Sequence, residues 1–521
     1  MNDNLVIENK KLVSIPEGCT SLVIPDGVTS IASHALRGAQ GLKSISLPSS
    51  ITSFDSYVFD YCPELASIHI ESIEAWCKIA FPHGFYLFRY ARELYVNGEL
   101  VTDLVIPEGV TEIPPYAFSH CGAISSVTLP EGLEKIGYYA FDDCWNLKSV
   151  KLPSTLKSIA AGAFGRCEEL EDVYIEDVAA WCNASMPEYD FRINGNPLSY
   201  ARNLYVKGEP ANDLVIPEGV TEIRPNAFTH FTALRSVSLP KSLQTVGEYA
   251  FWACGITSLD IPDALTRIEK GAFSGTNIKE LTIPKTVKNL CMRAFSFCKK
   301  LKKLTLEPGP VIFGDEVFSN CSSLTSLILP DGFPYFGETV FDECTNVVAV
   351  MNVTDIAEWC EKAPSISKFP VRAMQNDKPI VDLVIPEGVT EIRPRAFFGC
   401  SDLRSVKIPK SVKRIGDDAF AGCPKLKSVE IPDTVESIGE TSFDDIRIVT
   451  RKNPRMASRA STYTPRLRPK TRSSYAVSAP LSPRPARMSS ETSSLRSATS
   501  GNGSRPLAPT RIIPAQTGSS A

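Results

Sequence analysis

Two features that would place this protein in a membrane or on a secretory route are missing from its 521 residues. No apolar run approaches the roughly 18–20 residues that a membrane-spanning helix needs. Residues 1–18 contain no basic segment followed by an apolar stretch, so they predict no secretory signal peptide. The sequence therefore predicts neither a membrane span nor a cleaved leader.

Catalytic and metal-binding motifs are missing as well. None of the five histidines lies in an H-E-x-x-H or H-x-x-x-H pattern. The chain contains no G-x-S-x-G, G-x-G-x-x-G or Walker motif, and no C-x-x-C pair. We therefore predict that the protein is not an enzyme and that it uses no cofactor and no metal.

Acidic residues are almost missing from the last part of the chain. Residues 451–521 contain 13 Lys or Arg and one acidic residue, Glu491, so they carry +12, whereas residues 1–450 carry −16. The segment has 11 Arg, 15 Ser and 9 Pro but no Phe, Trp or Cys. Such a composition buries too little apolar surface to offset the entropy cost of ordering the backbone. It predicts a disordered basic tail, for which a regulated segment, a neutral extension and an out-of-frame translation are all open interpretations.

Internal self-similarity dominates the rest of the chain. The segment LKSVKLPSTLKSIAAGAFGRCEEL, from Leu147, returns as LRSVKIPKSVKRIGDDAFAGCPKL from Leu403. Fourteen such units occur, with a step of 22 or 23 residues inside each uninterrupted run, and this spacing indicates a solenoid. The recurring large residue is Leu36 in the first unit and then Phe59, Phe118, Phe141, Phe164, Phe228, Phe251, Phe273, Phe295, Phe318, Phe341, Phe397, Phe420 and Phe443.

Each unit predicts one short strand and one turn. Val150 and Leu152 alternate with polar neighbours, as in a strand with one buried face. Pro153 cannot donate a backbone hydrogen bond to a neighbouring strand, so it ends this one. Ala163 and Phe164 begin a predicted tight helical turn. A single unit leaves its apolar edge exposed, so only stacking forms a continuous core. The predicted structural residues are Phe118, Phe141, Phe164, Phe228, Phe251, Phe318, Phe341, Phe397 and Phe420.

The repeat resembles the BspA-like class of leucine-rich repeats. The likeness rests on motifs such as LTSLILP (Leu324–Pro330), VKRIGDDAFAGC (Val412–Cys423) and VTEIRPRAF (Val389–Phe397), and it covers about residues 12–446. The resemblance implies an α/β repeat solenoid, a right-handed stack of 14 units with one parallel sheet on its concave face. It also implies a surface or secreted interaction protein, often an adhesin, without catalytic residues.

Three inserts interrupt the repeats. Each contains a Trp-Cys pair within a stretch of helical spacing, which predicts a short amphipathic helix. Asn97-Gly98 is then a strong hairpin signal, with Lys207-Gly208 and Asn376-Asp377 in the corresponding places. These helix-plus-hairpin inserts, at about 71–103, 176–213 and 351–382, divide the solenoid into blocks of two, three, six and three repeats. Their aromatic residues Tyr86, Phe88, Tyr90, Tyr189 and Phe191 belong either to a binding patch or to the insert core.

The predicted domain boundaries follow from these features. Residues 1–24 predict an N-terminal hairpin that covers the first open strand edge, which would otherwise pair with other chains. Residues 25–450 form the solenoid, in which Ile446–Val449 is a candidate last strand. The basic tail is residues 451–521.

Ten of the fifteen cysteines lie three residues after the recurring Phe. This is a packing position, where a free cysteine behaves as a small hydrophobic residue. Parallel side chains in neighbouring units disfavour disulfide geometry, so reduced, buried thiols are expected. The ten are Cys62, Cys121, Cys144, Cys167, Cys254, Cys298, Cys321, Cys344, Cys400 and Cys423.

The outward residues of successive strands form a candidate binding row. The row includes Tyr174 and three Val among Ser, Thr and charged residues, so it is a mixed surface that could bind protein. The alternative is that these residues are present only for their high β propensity. Asp260 and Ala349 are placed in the row by their spacing. The candidate binding residues are His69, Thr128, Lys151, Tyr174, Ser238, Asp260, Ile328 and Lys407.

The sequence thus favours a non-catalytic protein-binding scaffold. The resemblance implies adhesin-like recognition of a host, matrix or partner protein at the cell surface. The alternative is an intracellular scaffold with a regulated basic tail, for which the reduced cysteines and the lack of a predicted leader argue. No nucleic-acid partner is expected for the solenoid, and no oligomeric state is predicted.

Overall fold

The structure is a computed structural model, and it describes residues 5–449 except 38, 60–61, 83–89, 187–194, 331–336, 338, 363–368, 370, 376–377 and 445. The chain divides after Tyr463, so every described residue lies in the first part. The predictions for residues 451–521, for Asn376-Asp377 and for the aromatic residues Tyr86, Phe88, Tyr189 and Phe191 concern residues outside this description.

Successive repeats contribute parallel strands to what we call the main sheet, which confirms the predicted solenoid. Along the stack its hydrogen bonding is divided into five separate sheets. Val150 lies between Val127 and Val173 in register, and all three side chains are buried. The intervening residues point outward, because successive side chains of a strand alternate between its faces. The strands of the main sheet are Ser21–Val23, Ser44–Leu47, Ser67–Ile70, Glu93–Val96, Glu99–Leu100, Asp103–Val105, Ser126–Thr128, Ser149–Leu152, Asp172–Ile175, Asn203–Val206, Glu209–Pro210, Asp213–Val215, Ser236–Ser238, Glu280–Ile283, Lys303–Leu306, Ser326–Leu329, Val348–Asn352, Val371–Gln375, Lys378–Pro379, Asp382–Val384, Ser405–Lys407, Ser428–Glu430 and Arg447–Val449.

A second parallel ladder, not predicted from the sequence, runs along another side of the stack. Each of its strands has two residues and follows the Pro-led turn, so that Ile136 pairs between Ile113 and Ile159. The resemblance implied a single parallel sheet, but the structure has two parallel ladders, and a typical repeat contributes one strand to each. The second-ladder strands are Ser30–Ile31, Ser53–Phe54, Glu112–Ile113, Lys135–Ile136, Ser158–Ile159, Glu222–Ile223, Thr245–Val246, Arg267–Ile268, Asn289–Leu290, Ile312–Phe313, Glu391–Ile392, Arg414–Ile415 and Ser437–Ile438.

The Ala-Phe turn is not helical, so this prediction was wrong. The backbone has positive φ two residues before and two residues after Phe141, at Tyr139 (54°) and Asp143 (58°). Left-handed residues on both sides reverse the chain and prevent a right-handed helix. Instead, the Phe141 N–H donates to the Ala163 carbonyl of the next repeat at 2.8 Å. The turns are thus joined between repeats as well as by short-range bonds within each repeat, such as the Gly165 N–H to the Gly162 carbonyl at 2.8 Å.

The Phe side chains form three columns that stop at the inserts. Phe141 is fully buried, and its ring centroid lies 5.4 Å from that of Phe118 and 5.2 Å from that of Phe164. All nine predicted structural Phe residues lie in the buried core. The columns contain Phe118, Phe141 and Phe164; then Phe228, Phe251, Phe273, Phe295, Phe318 and Phe341; and then Phe397, Phe420 and Phe443.

Each insert contains a short helix and a strand that returns to the main sheet. The helices are α1 (Ile73–Trp76), α2 (Val178–Asn183) and α3 (Ile356–Lys362), with a further 3-10 turn at Pro197–Ser199. After α2, Asn203–Val206 pairs in parallel with Asp172–Ile175 and then turns back as an antiparallel hairpin. The inserts therefore extend the sheet of one block before the next block begins.

A tryptophan in each insert helix bonds to the first turn of the following block. Its indole N–H donates to the carbonyl of the Ala that precedes a Phe. Within a block, this carbonyl accepts from the Phe N–H of the preceding repeat, so the indole supplies the donor where the repeat is interrupted. The pairs are Trp76 and Ala117 at 3.0 Å, Trp181 and Ala227 at 2.9 Å, and Trp359 and Ala396 at 2.8 Å.

The N-terminal hairpin extends the second ladder. Val6–Glu8 pairs antiparallel with Lys11–Ser14, and Lys11–Ser14 pairs in parallel with Ser30–Ile31. The main sheet begins separately, at Ser21–Val23, and that strand lies at its edge. Within the described residues, the hairpin thus borders one of the two ladders.

Candidate interaction surface

The outward residues of the main sheet lie side by side in register. In the second block, Thr128, Lys151 and Tyr174 are consecutive partners. The row begins there with Val105 and ends with Tyr205. The structure thus brings three of the candidate residues together. His69 lies in the first block, Ser238 and Ile328 in the third, and Lys407 in the fourth.

Two spacing-based placements in the row need correction. Asp260 is exposed but belongs to none of the assigned strands. The connection that contains Gly255 is one residue shorter than in the preceding repeat. The two coils approach closely there, because a Cβ on Gly255 would lie 2.2 Å from the Thr232 carbonyl oxygen. Ala349 is fully buried, and Val350 lies beside Ile328 in its place.

The insert strands add aromatic residues that sequence reasoning missed. Tyr95 lies beside His69 and Tyr205 beside Tyr174, and in each pair the ring centroids are 4.6 Å apart in a stacked arrangement. The signal was present in the sequence, because ELYV and NLYV have the alternation of a repeat strand. It was overlooked because these residues were assigned to a separate hairpin. Arg372 is the corresponding residue of the third insert.

An exposed valine opens the row in each block. Val23, Val105, Val215 and Val384 are the outward residues of the first strands, and between 50% and 66% of each is exposed. Isolated exposed apolar residues are common on protein surfaces. Here they recur at one position and in one row, which makes the outer face partly apolar along its length.

Polar side chains flank this row and hold the first two strands of a block together. The Ser126 hydroxyl donates to the Asp103 carboxylate at 2.5 Å, and Ser236 donates to Asp213 at 2.6 Å. The same Ser-Asp bond joins Ser405 to Asp382 at 2.5 Å. The surface therefore combines an apolar and aromatic line with a hydrogen-bonded polar border.

Hydrogen bonding and nearby carboxylates act on two tyrosines of the row. The Tyr95 hydroxyl donates to Glu93 at 3.1 Å, and this bond raises the pKa of Tyr95. Partial burial, followed by the nearby Asp172 carboxylate, raises the pKa of Tyr174. Lys151 forms an exposed ion pair with Glu176 at 3.2 Å. In the second block the row thus places aromatic rings beside one ion pair.

The cysteines have a packing role in the structure. Cys144 is fully buried, and its thiol donates to the Phe118 carbonyl of the preceding repeat at 3.2 Å. The thiols of Cys62, Cys167, Cys254, Cys298, Cys321, Cys344 and Cys423 bond in the same way to the carbonyl of a recurring Phe or Leu.

Neither a metal cluster nor a membrane-spanning helix is found in the described residues. No group of three or more His, Cys, Asp or Glu side chains there could hold a metal ion. None of the helices among them has the length and apolar character needed to cross a bilayer.

Three solved structures match this chain at low sequence identity. A protein from Bacteroides ovatus is 21% identical over 86% of this chain and 97% of its own, with a TM-score of 0.35. A leucine-rich cell surface protein from Faecalibacterium prausnitzii is 18% identical over 88% of this chain and 96% of its own, with a TM-score of 0.30. The pneumococcal vaccine antigen PcpA is 16% identical over 86% and 99%, with a TM-score of 0.34.

The family comparison is more decisive. No curated protein matches this sequence significantly. The family described as BspA type leucine rich repeat region (6 copies) matches residues 15–85, 91–185, 202–307, 266–373 and 365–454. These matches span most of the chain and agree with the repeats and the stacked coils. The chain therefore belongs to the BspA-type leucine-rich repeat family.

Proposed function

We propose that this protein is a non-catalytic scaffold that binds a protein through the outer face of its main sheet. The rigid stack supplies a long surface on which outward residues of successive repeats are aligned. In this proposal the partner contacts the exposed valines and the stacked aromatic pairs. The polar side chains that flank the row form the polar rim of the interface. Interfaces of this kind have aromatic and apolar centres with polar surroundings.

The observation that carries the proposal is the recurrence of exposed apolar residues in one row. An exposed valine favours the strand conformation, but only burial against a partner would also remove its apolar surface from water. Val105 and Val215 are the most exposed, at 63% and 66%. Burying such side chains against a partner is favourable by about 25 cal/mol per Å² of apolar area.

We further propose that the partner is an extracellular protein and that this chain acts as an adhesin. The solved relatives described above include a cell surface protein and a vaccine antigen. Decellularised extracellular matrix, coated in wells, is a suitable probe for such a partner. The purified full chain is expected to bind it saturably.

A pair of matched variants tests the face. Val105→Glu/Val215→Glu alters the row, and Ile312→Glu alters an equally exposed residue (67%) of the second ladder. All three positions are exposed, so each change is expected to alter stability by only about 0.5 kcal/mol per site. Binding should fall at least about tenfold in the first variant and persist in the second. Equal binding by both variants would refute the outer-face proposal.

An intracellular scaffold is a second candidate, favoured by the cysteines. The thiols that bond to Phe carbonyls act as S–H donors, which requires them to be reduced. Reduced thiols are typical of the cytosol. Brief protease treatment of intact producing cells separates the two candidates. Released solenoid peptides support the adhesin, whereas complete protection of the chain until lysis supports the intracellular scaffold.

A further inference from the structure

Two coils carry opposite charges at the same positions of the repeat. The sequence EELED, residues 168–172, follows Cys167, and the sequence KKLKK, residues 299–303, follows Cys298. We call these the acidic segment and the basic segment. Every charged position of one has the opposite sign in the other, at the same offset from the recurring Phe.

The two segments occupy the same edge of the stack. Their central residues, Leu170 and Leu301, are buried in the core (1% and 0% exposed) and fix both segments in the same way. Each follows a residue with positive φ, Arg166 (55°) or Phe297 (57°). Each then enters a strand of the main sheet. The charged side chains thus emerge where the turn joins the sheet.

The basic segment has an acidic neighbour in the described coils, since Glu280 lies beside Lys303 in register, but its lysines remain in excess. All four lysines are exposed, and none of their ammonium groups forms an ion pair or hydrogen bond in the part of the chain that the structure describes. The neighbouring coil adds a further exposed lysine, because the Lys302 N–H donates to the Lys279 carbonyl at 2.8 Å. A dense positive patch therefore lies on a body that carries −16.

The acidic segment is only partly neutralised. Glu168 and Glu169 are exposed and form no ion pair or hydrogen bond among the described residues. Glu171 pairs with Arg202 at 3.5 Å, and that Arg side chain is 72% exposed. An exposed pair of this kind is weak and can exchange partners. Asp172 accepts a bond from Asn203 at 2.8 Å.

We propose that two copies of this chain associate in an antiparallel manner, with the acidic segment of each copy against the basic segment of the other. A two-fold axis makes the two contacts equivalent, since residue i meeting j implies that j meets i. The separation of the segments along the stack is the same in both copies, so both contacts form together. A parallel arrangement in register would oppose like charges, which disfavours it.

The surface between the segments allows this arrangement. We count the coils between the two segments by their main-sheet strands and include the shortened repeat, which has no such strand. The two-fold axis lies midway, at the coil that leads into Ser236–Ser238. At the equivalent positions, 232–236, that coil presents one charged residue, Arg235. Arg235 therefore meets its own copy at the axis, and the same axis places Arg202 of one copy opposite Lys279 of the other; these like charges stand against two larger clusters of opposite charges. The dimer is weak and sensitive to salt, because exposed charges are screened within about 8–10 Å at physiological ionic strength.

Charge reversal tests the dimer in the full chain. Lys299→Glu/Lys300→Glu alters the basic segment and Glu168→Lys/Glu169→Lys the acidic one, at positions that are exposed in both cases. Lys285→Glu/Lys288→Glu is the control, since it makes the same change of charge at exposed positions outside the segments. Sedimentation velocity at about 0.02 M and about 0.5 M salt measures association, and far-UV circular dichroism checks that each variant is folded.

The expected result is a pattern that only mutual contact produces. Wild type and control form dimers at low salt, and high salt dissociates them. Each segment variant alone associates at least about tenfold more weakly, whereas an equimolar mixture of the two variants, or all four changes in one chain, restores the dimer.

Three results would overturn the proposal. The first is a wild type that is monomeric at low salt. The second is a loss of association in the basic-segment variant but not in the acidic-segment variant, which would place the contact of the basic segment on another acidic surface of the chain. The third is a loss in the acidic-segment variant alone, which would indicate binding of the basic tail. In the last two cases the mixture would also fail to restore association.

Discussion

At the scale of single residues, the repeat is defined by a few hydrogen bonds as much as by apolar packing. The cysteine three residues after the Phe is small enough for the core and also carries a donor. Its thiol satisfies a Phe carbonyl of the neighbouring repeat, as Cys167 does for Phe141 at 3.1 Å. Unpaired buried carbonyls cost free energy, so a purely apolar residue of this size would be a poorer choice.

Replacement of a column phenylalanine should be far more costly than replacement of a residue in the outer row. Phe141→Ala removes a fully buried ring that is stacked on both sides, so the free energy of unfolding should fall by about 3–5 kcal/mol. Lys151→Ala changes a side chain that is 51% exposed and should alter it by only about 0.5 kcal/mol. Urea denaturation followed by circular dichroism measures both. Similar losses would show that the two faces are wrongly assigned.

Alkaline pH should destabilise the fold through its buried thiols. Burial raises the pKa of Cys121 and of Cys167 to about 12. A thiol in the unfolded chain has a pKa of about 8.5. Below that value both states are protonated. As the pH rises toward about 12, only the unfolded chain loses the proton, so stability falls with pH in this window.

A cysteine variant isolates this contribution. The denaturation midpoint is measured at about pH 8 and about pH 10 for the wild type and for Cys121→Ala/Cys167→Ala. The variant is less stable at the lower pH because two carbonyl-bonded side chains are removed. Its midpoint should decline less between the two values. An equal or steeper decline would assign the pH effect to other groups.

At the scale of elements, the inserts act as modified repeats. Their helices supply a Trp indole where the regular repeat supplies a Phe N–H, and their strands continue the main sheet. The helix α2 also accepts the Arg224 N–H at its Cys182 carbonyl, at 3.0 Å, and α3 accepts Arg393 in the same way at Cys360. The inserts thus join blocks by the same kind of backbone bonding that joins repeats.

Loss of one indole donor should weaken a junction. Trp181→Phe keeps an aromatic ring but leaves the buried Ala227 carbonyl with fewer donors, since Asn196 also bonds to it at 3.2 Å. Because the Asn196 bond remains, the expected loss is that of one hydrogen bond, about 0.5–1.5 kcal/mol in the free energy of unfolding. Trp145→Phe is the matched control, because Trp145 is half-buried and contacts Arg92 through its ring face. Thermal unfolding compares them, and an equal loss in both would argue against the bonding role.

At the scale of the whole molecule, the core is continuous across the inserts. The buried apolar cluster extends from Leu12 to Ile446 and includes Trp76, Trp181 and Trp359. The blocks, whose sheets are hydrogen-bonded separately, therefore share one apolar core. The final strand, Arg447–Val449, pairs with Ser428–Glu430 and ends the main sheet within the described residues.

Removal of the basic tail should leave the solenoid intact. The composition of residues 451–521 predicts no ordered core, and among the described residues the core cluster ends at Ile446. A chain of residues 1–450 should therefore be as stable as the full chain, within about 0.5 kcal/mol. Its net charge should change from −4 to −16, which isoelectric focusing detects. A large loss of stability would show that the tail packs against the solenoid.

The repeat itself was accessible to sequence reasoning because its signals are local. The fixed offset between Phe141 and Cys144, and between Val150 and Pro153, identifies the strand, the core position and the block boundaries. The helical turn at Ala163–Phe164 was mispredicted because spacing does not reveal positive φ. Asp260 lies outside the assigned strands, and Ala349 is turned into the core because a register change of one residue moves a side chain to the other face.

The amino-acid sequence by itself determined the period, the stacked core and the division into blocks, since each depends on residues within one repeat. Only the tertiary structure decided which residues meet across repeats. The second ladder, the Trp181 bond to Ala227 and the pairing of Tyr174 with Tyr205 each join residues 23 or more positions apart. Such contacts depend on how the coils stack in three dimensions, and that stacking is what creates the outer face and its candidate partner surface.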